Sequence, residues 1–425
     1  MSGRPLASII TLGCKLNLAD SEAVARDLVA AGYRVVDRVV EADAYVVNTC
    51  SVTHVADQKS RRLIRSVRRI NPAATVAVTG CFPQSAGDDA TRALGADIVF
   101  GTRRADRTKF LDFLAARGSN LTFDPSPVPA ALHTRAFIKA QEGCNDVCAF
   151  CIVPRTRGRE ESRTIDAVSA DIERVFASGA REAVITGTQL GAWGRDLSPA
   201  LAPHHLIAGI LERVEIPRIR FSSLQPQDIT PELLALWQDP RLMPQFHLAL
   251  QSGSDRVLAS MRRRYTAAEF LDAAARIRAA VPGAAITTDV IAGFPGETGA
   301  EFEETLALCR AVRFARVHCF PYSQRARTAA SRHPEQVPHL QRQERMACLL
   351  ALAGELQADF LASRSGETRP VLWESSREID GEELWFGYTD NYAGVYATGA
   401  GLANRILTTT LGKPFRDGLR GEVAS

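Results

Sequence analysis

Short apolar runs alternate with amphipathic stretches along the first hundred residues. Ser8 to Leu12, Tyr45 to Asn48, Thr75 to Thr79 and Asp97 to Phe100 read as strands, and Ser21 to Ala31 and Val55 to Ile70 carry helical periodicity. Such alternation predicts a parallel, doubly wound α/β sheet with helices on its faces. Cys14, Cys50 and Cys81 each follow one of these strands by one or two residues. All three are therefore expected at the carboxyl edge of one sheet, where ligands of open α/β sheets bind.

The pattern breaks over residues 116–134, where Pro125, Pro127 and Pro129 interrupt a polar stretch that can continue neither a helix nor a central strand. Beyond it the alternation returns with a longer period. Strands are expected over Ala136 to Gln141, Glu182 to Thr186, Arg218 to Ser222, Phe246 to Leu250, Ala285 to Ile291 and Arg316 to Phe320. Helices are expected over Thr164 to Ser178, Ala267 to Val281 and Ala300 to Val312. That order predicts a parallel barrel or partial barrel. After a helical segment over Arg342 to Ala362, short runs at Arg369 to Glu374, Leu384 to Thr389 and Ala393 to Thr398 are punctuated by Gly366, Gly381, Gly399 and Gly401, as in a small antiparallel barrel. The expected division is an amino-terminal domain over 1–115, a linker over 116–134, a central domain over 135–365 and a carboxyl-terminal domain over 366–425.

A length of 425 residues, with 46% hydrophobic and 23% charged residues, suits a multidomain globular chain. No apolar run reaches the roughly 18 residues of a membrane span, and Met1 to Pro5 lead into the first strand without a cleavage pattern, so a cytoplasmic location is expected. The net charge of +3 neither demands nor excludes a nucleic-acid partner. Nine cysteines without a signal peptide point to metal ligands or buried thiols rather than a disulfide framework.

The strongest chemical signal is Gly143-Cys144-Asn145-Asp146-Val147-Cys148-Ala149-Phe150-Cys151, directly after an expected strand. Three thiolates this close can hold three irons of a [4Fe-4S] cubane and leave the fourth open. A structural zinc site would need a fourth ligand, and His133 lies eleven residues upstream across a strand. Three unconnected buried cysteines are the remaining alternative.

This Cys-x-x-x-Cys-x-x-Cys loop resembles that of the radical S-adenosylmethionine superfamily. Within it, Thr11-Leu12-Gly13-Cys14-Lys15-Leu16-Asn17 with Ser21-Glu22, Asn48-Thr49-Cys50 and Thr79-Gly80-Cys81 resemble the cysteine segments of the methylthiotransferases, over essentially the whole chain. The resemblance implies two [4Fe-4S] clusters, one on Cys144, Cys148 and Cys151 and one on Cys14, Cys50 and Cys81, with S-adenosylmethionine as cofactor. It also implies a radical SAM core and a small RNA-binding barrel of the TRAM kind at the carboxyl terminus. The first cluster would generate a 5′-deoxyadenosyl radical that abstracts hydrogen from C2 of an adenine, and the other would deliver sulfur. No side chain beyond the cluster ligands is expected to be catalytic.

The implied cofactor contacts are Thr186, Gly187 and Thr188 after one strand, Ser223 after the next, Gln251 in His247 to Ser254, and Asp289, Gly293 and Glu297 in Thr288 to Glu297. The Thr186 to Gly191 stretch also reads as a plain turn, and Asp289 or Glu297 as a cap of the following helix. Arg262 to Arg264, and Lys59, Arg61, Arg62, Arg65, Arg68 and Arg69, read either as phosphate contacts or as solvated helix faces. Trp373, Trp385, Tyr388 and Tyr392 are stacking surfaces or barrel core. Cys309, Cys319 and Cys348 read as buried thiols. His318, on the last central strand, reads either as lining the cavity or as a satisfied core histidine, and is given no role.

Gly13 to Asn17, Thr186 to Gly191 with Trp193-Gly194, and Gly387 to Tyr392 most resemble the branch that modifies N6-threonylcarbamoyladenosine in the tRNA anticodon loop, with flavodoxin or ferredoxin as electron donor. The alternatives are the isopentenyladenosine branch, whose Gln-Met pair after the first Gly-Cys is lacking here, a ribosomal-protein aspartate, and a non-catalytic iron-sulfur RNA-binding protein. The threonylcarbamoyl carboxylate would need a cationic partner, for which Arg155, Arg157 and Arg220 are candidates.

Overall fold

The computed structural model describes residues 4–116 and 134–424, so His133 and nearly all of the proline-broken stretch lie outside the described residues. The amino-terminal sheet has five parallel strands in spatial order Arg34–Val36, Leu6–Thr11, Ala44–Thr49, Thr75–Gly80 and Ile98–Val99. Its two central strands, Ala44–Thr49 and Thr75–Gly80, are apolar and buried on both faces, as a parallel sheet covered by helices requires. The helices are Lys15–Ala30, His54–Ile70 and Arg104–Ala116, with short turns of helix over Cys81–Ala86 and Asp88–Arg92. The edge strand Arg34–Val36 and the helix Arg104–Ala116 have too few strong periodic positions to stand out in the sequence.

Six parallel strands follow: Arg135–Glu142, Glu182–Gly187, Arg218–Phe221, Gln245–His247, Ala285–Ala292 and Arg316–Pro321. Single parallel bridges, Ile219 to Leu242 and Leu224 to Leu248, join the third to the fourth, so the six curl into one partial barrel. Phe246 to Leu250 was expected as a strand; the regular strand is Gln245–His247, and beyond it pairing continues only as single bridges at Leu248 and at Gln251, which has φ 69°. The helix His339–Ala362 packs behind the last strand. Among the described residues no helix is long and apolar enough to cross a membrane.

The carboxyl-terminal strands Thr368–Ile379, Glu382–Thr389, Gly394–Ala397, Ile406–Phe415 and Gly418–Val423 close into a barrel around Val371, Trp373, Val395, Leu411 and Leu419. Trp373 is fully buried in that core, and Trp385 packs against it, so neither is a free stacking surface. The barrel docks at the amino ends of the central strands. Arg218 donates to the carbonyls of Tyr388 and Thr389, Arg220 to that of Asp390, and Arg135 pairs with Glu374. Asn404 and Asn391 add bonds to the Gly179 and Gly283 carbonyls.

The amino-terminal unit is joined to the open edge of the central strands by its first helix. Glu22 accepts from the Phe137 N–H at 3.2 Å, and Asp20 pairs with Lys139 at 2.6 Å.

Candidate active site

Each cysteine group sits at the carboxyl ends of parallel strands, the edge outside which ligands of such sheets bind. Cys14 and Cys50 follow Leu6–Thr11 and Ala44–Thr49, and Cys81 opens the turn of helix after Thr75–Gly80. The three converge as their spacing predicts: Cys50 and Cys81 each sense the charge of Cys14, and an added Cβ at Gly13 would stand 3.0 Å from Cys50 Sγ. Gly13, at φ 110°, is the residue that lets the two segments approach.

In the second group Cys144 Sγ accepts from the Asp146 N–H at 3.3 Å, Cys151 Sγ from the Val153 N–H at 3.4 Å, and Cys148 Sγ from Arg263 Nη1 at 3.5 Å. Gly143 has φ 73°, and an added Cβ would lie 1.9 Å from the Arg159 carbonyl oxygen. The loop can start only from glycine.

Burial pushes the Cys50 and Cys144 thiols up to about 11 and Cys151 up to about 12. Left to themselves these groups stay protonated, so a bound metal's charge would be needed to make thiolates of them. All six cysteines are free of disulfides. Two three-thiol sets without a fourth cysteine fit clusters with one open iron each.

Beside the Cys144 loop, Gln141 donates to the Gly143 carbonyl at 2.8 Å and accepts from the Gln189 N–H at 2.9 Å, which ties the Thr186 to Gly191 stretch to the cluster loop. Thr188 Oγ1, Arg263 Nη2 and Glu297 Oε1 are buried and have no protein partner, as expected of atoms that await a polar ligand. Ser223 is half-buried beyond Arg218–Phe221. Glu297 does not cap the helix Gly299–Val312, because Thr298 and Glu301 form that capping box. Its carboxylate accepts instead from the Gly293 N–H at 2.8 Å and from Arg345 at 2.7 Å. Asp289 caps nothing either; it points into the barrel from mid-strand.

Several residues differ from their expected roles. Cys309 is buried and Cys319 partly so, but Cys348 is exposed on the outer face of its helix. His318 is not a core histidine: it opens into the barrel with His247 and Asp289, whose ligand atoms lie within 4.8 Å of one another, and burial still depresses it to about 4. The arginine triplet does not act as one unit. Arg262 is exposed, Arg263 turns onto Cys148 and the Tyr265 hydroxyl, and Arg264 pairs with Asp146 at 2.6 Å. Arg68 is spent on Asp97 and three carbonyls, while Lys59, Arg61, Arg62, Arg65 and Arg69 stay exposed.

The three arginines considered for a substrate carboxylate are also accounted for. Arg155 is exposed. Arg157 is buried among Asp20 at 3.1 Å, Glu142 at 2.7 Å and Asn17 at 2.6 Å. Arg220 is paired with Glu182 at 3.0 Å. Tyr388 and Tyr392 stack on each other, ring centroids 4.5 Å apart, against the guanidinium groups of Arg135 and Arg220. Sequence reasoning missed Gln141, whose only signal is that it stands just before the Gly143 loop, and gave Arg263 no part at Cys148, with which nothing in the sequence links it.

A partial barrel of parallel strands with a three-cysteine loop beyond its first strand defines a radical S-adenosylmethionine enzyme. Residues 7–101 match the uncharacterized protein family UPF0004, and 138–309 match the Radical SAM superfamily. The threonylcarbamoyladenosine tRNA methylthiotransferase MtaB of Bacillus subtilis is 37% identical over 96% of this chain and 94% of its own length; that of Chlamydia pneumoniae is 33% identical over 98% and 97%. A tRNA-2-methylthio-N(6)-dimethylallyladenosine synthase of Acidothermus cellulolyticus is 38% identical over 85% of this chain and 76% of its own. The solved structure of the radical S-adenosylmethionine methyltransferase TsrM from Kitasatospora setae shares the fold at a TM-score of 0.55 and 13% identity, over 74% of this chain and 73% of its own. The chain belongs to the methylthiotransferase family of radical SAM enzymes. S-adenosylmethionine and a [4Fe-4S] cluster come with that membership.

Proposed function

We propose that this enzyme converts N6-threonylcarbamoyladenosine beside the tRNA anticodon to its 2-methylthio derivative. Near end-to-end likeness to proteins named for that reaction carries the reading, supported by the absence of a Gln-Met pair after Gly13-Cys14. The isopentenyladenosine branch is the second reading, because the relative of Acidothermus cellulolyticus named for the dimethylallyl product is as identical, over 85% of this chain.

Cys144, Cys148 and Cys151 would hold the cluster that supplies the electron for reductive cleavage of S-adenosylmethionine. Thr186, Gly187, Thr188, Ser223, Gln251, Asp289, Gly293 and Glu297 would bind and orient that cofactor. Gln251, strained at φ 69°, is held by backbone bonds to the Asp289 carbonyl and the Ile291 N–H, which fix its main chain beside Asp289. Cys14, Cys50 and Cys81 would hold a second [4Fe-4S] cluster, from which sulfur is delivered. A small flavoprotein or ferredoxin would donate electrons, and the cytoplasm, where tRNA is modified, would be the site of action.

Mass spectrometry of tRNA nucleosides from cells with and without the gene tests this reading. Loss of 2-methylthio-N6-threonylcarbamoyladenosine is expected. Loss of the isopentenyl derivative alone would favour the second reading.

A further inference from the structure

Three neighbouring strands of the partial barrel bring His247, Asp289 and His318 together on their inward face. Asp289 and His318 stand opposite one another on the paired strands Ala285–Ala292 and Arg316–Pro321. His247, at the end of Gln245–His247, pairs with Thr287, two residues before Asp289. One ligand atom from each of the three lies within 4.8 Å of the other two. His247 Nε2 is 3.3 Å from Asp289 Oδ2, and the two imidazole rings are 5.9 Å apart between centroids. Bonds of about 2.0–2.1 Å to a tetrahedral ion set its ligand atoms about 3.3 Å apart, so one edge of such a site already stands.

The hydrogen bonds at His247 fix which nitrogen is offered. The Thr287 hydroxyl has one proton, which it donates to the Phe246 carbonyl at 3.3 Å, so it accepts from His247 Nδ1 at 3.2 Å. Nε2 then turns a lone pair toward a carboxylate oxygen. Two acceptors face one another, and a proton or a cation must lie between them. A histidine bonded through one ring nitrogen, with the other free to coordinate, is the arrangement that orients metal ligands. We infer that His247, Asp289 and His318 hold a divalent first-row transition ion. Two imidazoles and a carboxylate suit zinc or iron(II), whereas the thiolate sets suit clusters. His318 is exposed on the open side of the barrel, so positions remain for oxygen ligands from whatever fills the cavity. Only Oδ2 of Asp289 is engaged by His247, which leaves Oδ1 for the proposed cofactor contact.

The test dialyses reconstituted holoenzyme, its cysteines occupied by iron, against zinc alone and counts the zinc retained. One zinc per chain is expected, and X-ray absorption should show nitrogen and oxygen at about 2.0–2.1 Å with no sulfur at about 2.3 Å. His318→Ala and Asp289→Asn should lose that zinc while keeping their iron. Thr287→Val keeps all three ligands but frees the His247 ring, and should weaken zinc binding about 10- to 100-fold. Should a ligand variant lose iron, Thr287→Val and the absorption spectrum of the unaltered holoenzyme still decide. Zinc retained in full by both ligand variants, or sulfur among its ligands, would place the ion elsewhere and overturn the inference. No zinc on the unaltered holoenzyme would overturn it too, and would mean that a shared proton joins His247 to Asp289.

Discussion

Arg157 Nη2 donates to Asn17 Oδ1 at 2.6 Å, so a residue just past Cys151 grips one just past Cys14. The same guanidinium meets Glu142, which precedes the Gly143 loop, and Asp20 on the helix that follows Cys14. Both cysteine groups are thereby fixed to one buried cation. Arg157→Ala would remove one of the two cations that Asp20 and Glu142 share, leaving them Lys139 alone, at a cost of about 1–3 kcal/mol. The urea midpoint should fall accordingly, and Arg157→Lys should recover only part of it. An unchanged midpoint would mean that the two units are held by other contacts.

Gly143→Ala would drive a methyl group into the Arg159 carbonyl and force a left-handed backbone on alanine. The Cys144 loop should then fail to close. Two cubanes correspond to about eight irons per chain, so iron should drop to about four, and 5′-deoxyadenosine formation should disappear. The Cys144→Ala, Cys148→Ala, Cys151→Ala triple variant should give the same halved count. Full iron in either would refute the assignment of this loop.

Glu22 is held by burial up to about 8, against an ordinary value of 4.5, with Oε1 unpartnered. A carboxyl raised in the folded state adds stability below its unfolded value and loses it as pH rises through the folded one. Stability should therefore decline between about pH 4.5 and 8 by up to about 1.4 kcal/mol per pH unit from this group. Glu22→Gln keeps an acceptor for the Phe137 N–H and removes that slope. Urea midpoints at about pH 5.5 and 7.5 should diverge between the two proteins; parallel curves would show that Glu22 is ionised when folded.

Arg62, Arg65 and Arg69 of the helix His54–Ile70 line one open groove with Ser66 of that helix and with Leu94. If they neutralise tRNA phosphates, replacing all three by Ala should make log affinity less steep in log salt by about 2–3. An unchanged slope would return them to the role of a solvated face. Removing residues 366–425 is a poorer test of RNA grip than the sequence suggests. It would strip Arg218 and Arg220 of their carbonyl partners, so the truncated chain should unfold more readily.

The parallel strands and the three-thiol convergence were legible because both rest on local periodicity: Tyr45 to Asn48 and Thr75 to Thr79 are apolar runs with a cysteine just past each end. The last two strands, Ile406–Phe415 and Gly418–Val423, were not, since a small barrel with half-solvated strands leaves mixed polar and apolar runs. Side-chain commitments were the least legible. Nothing local distinguishes Arg157, buried between two units, from exposed Arg155 two residues earlier, and Tyr388 and Tyr392 acquire their arginine partners only when the carboxyl-terminal barrel docks.

The central claim is methylthiolation of threonylcarbamoylated tRNA, and purified, reconstituted enzyme offered matched tRNAs tests it most directly. Nucleoside mass spectrometry should show the 2-methylthio product on tRNA carrying N6-threonylcarbamoyladenosine and none on the isopentenylated tRNA. Product on the isopentenylated tRNA alone would contradict the account.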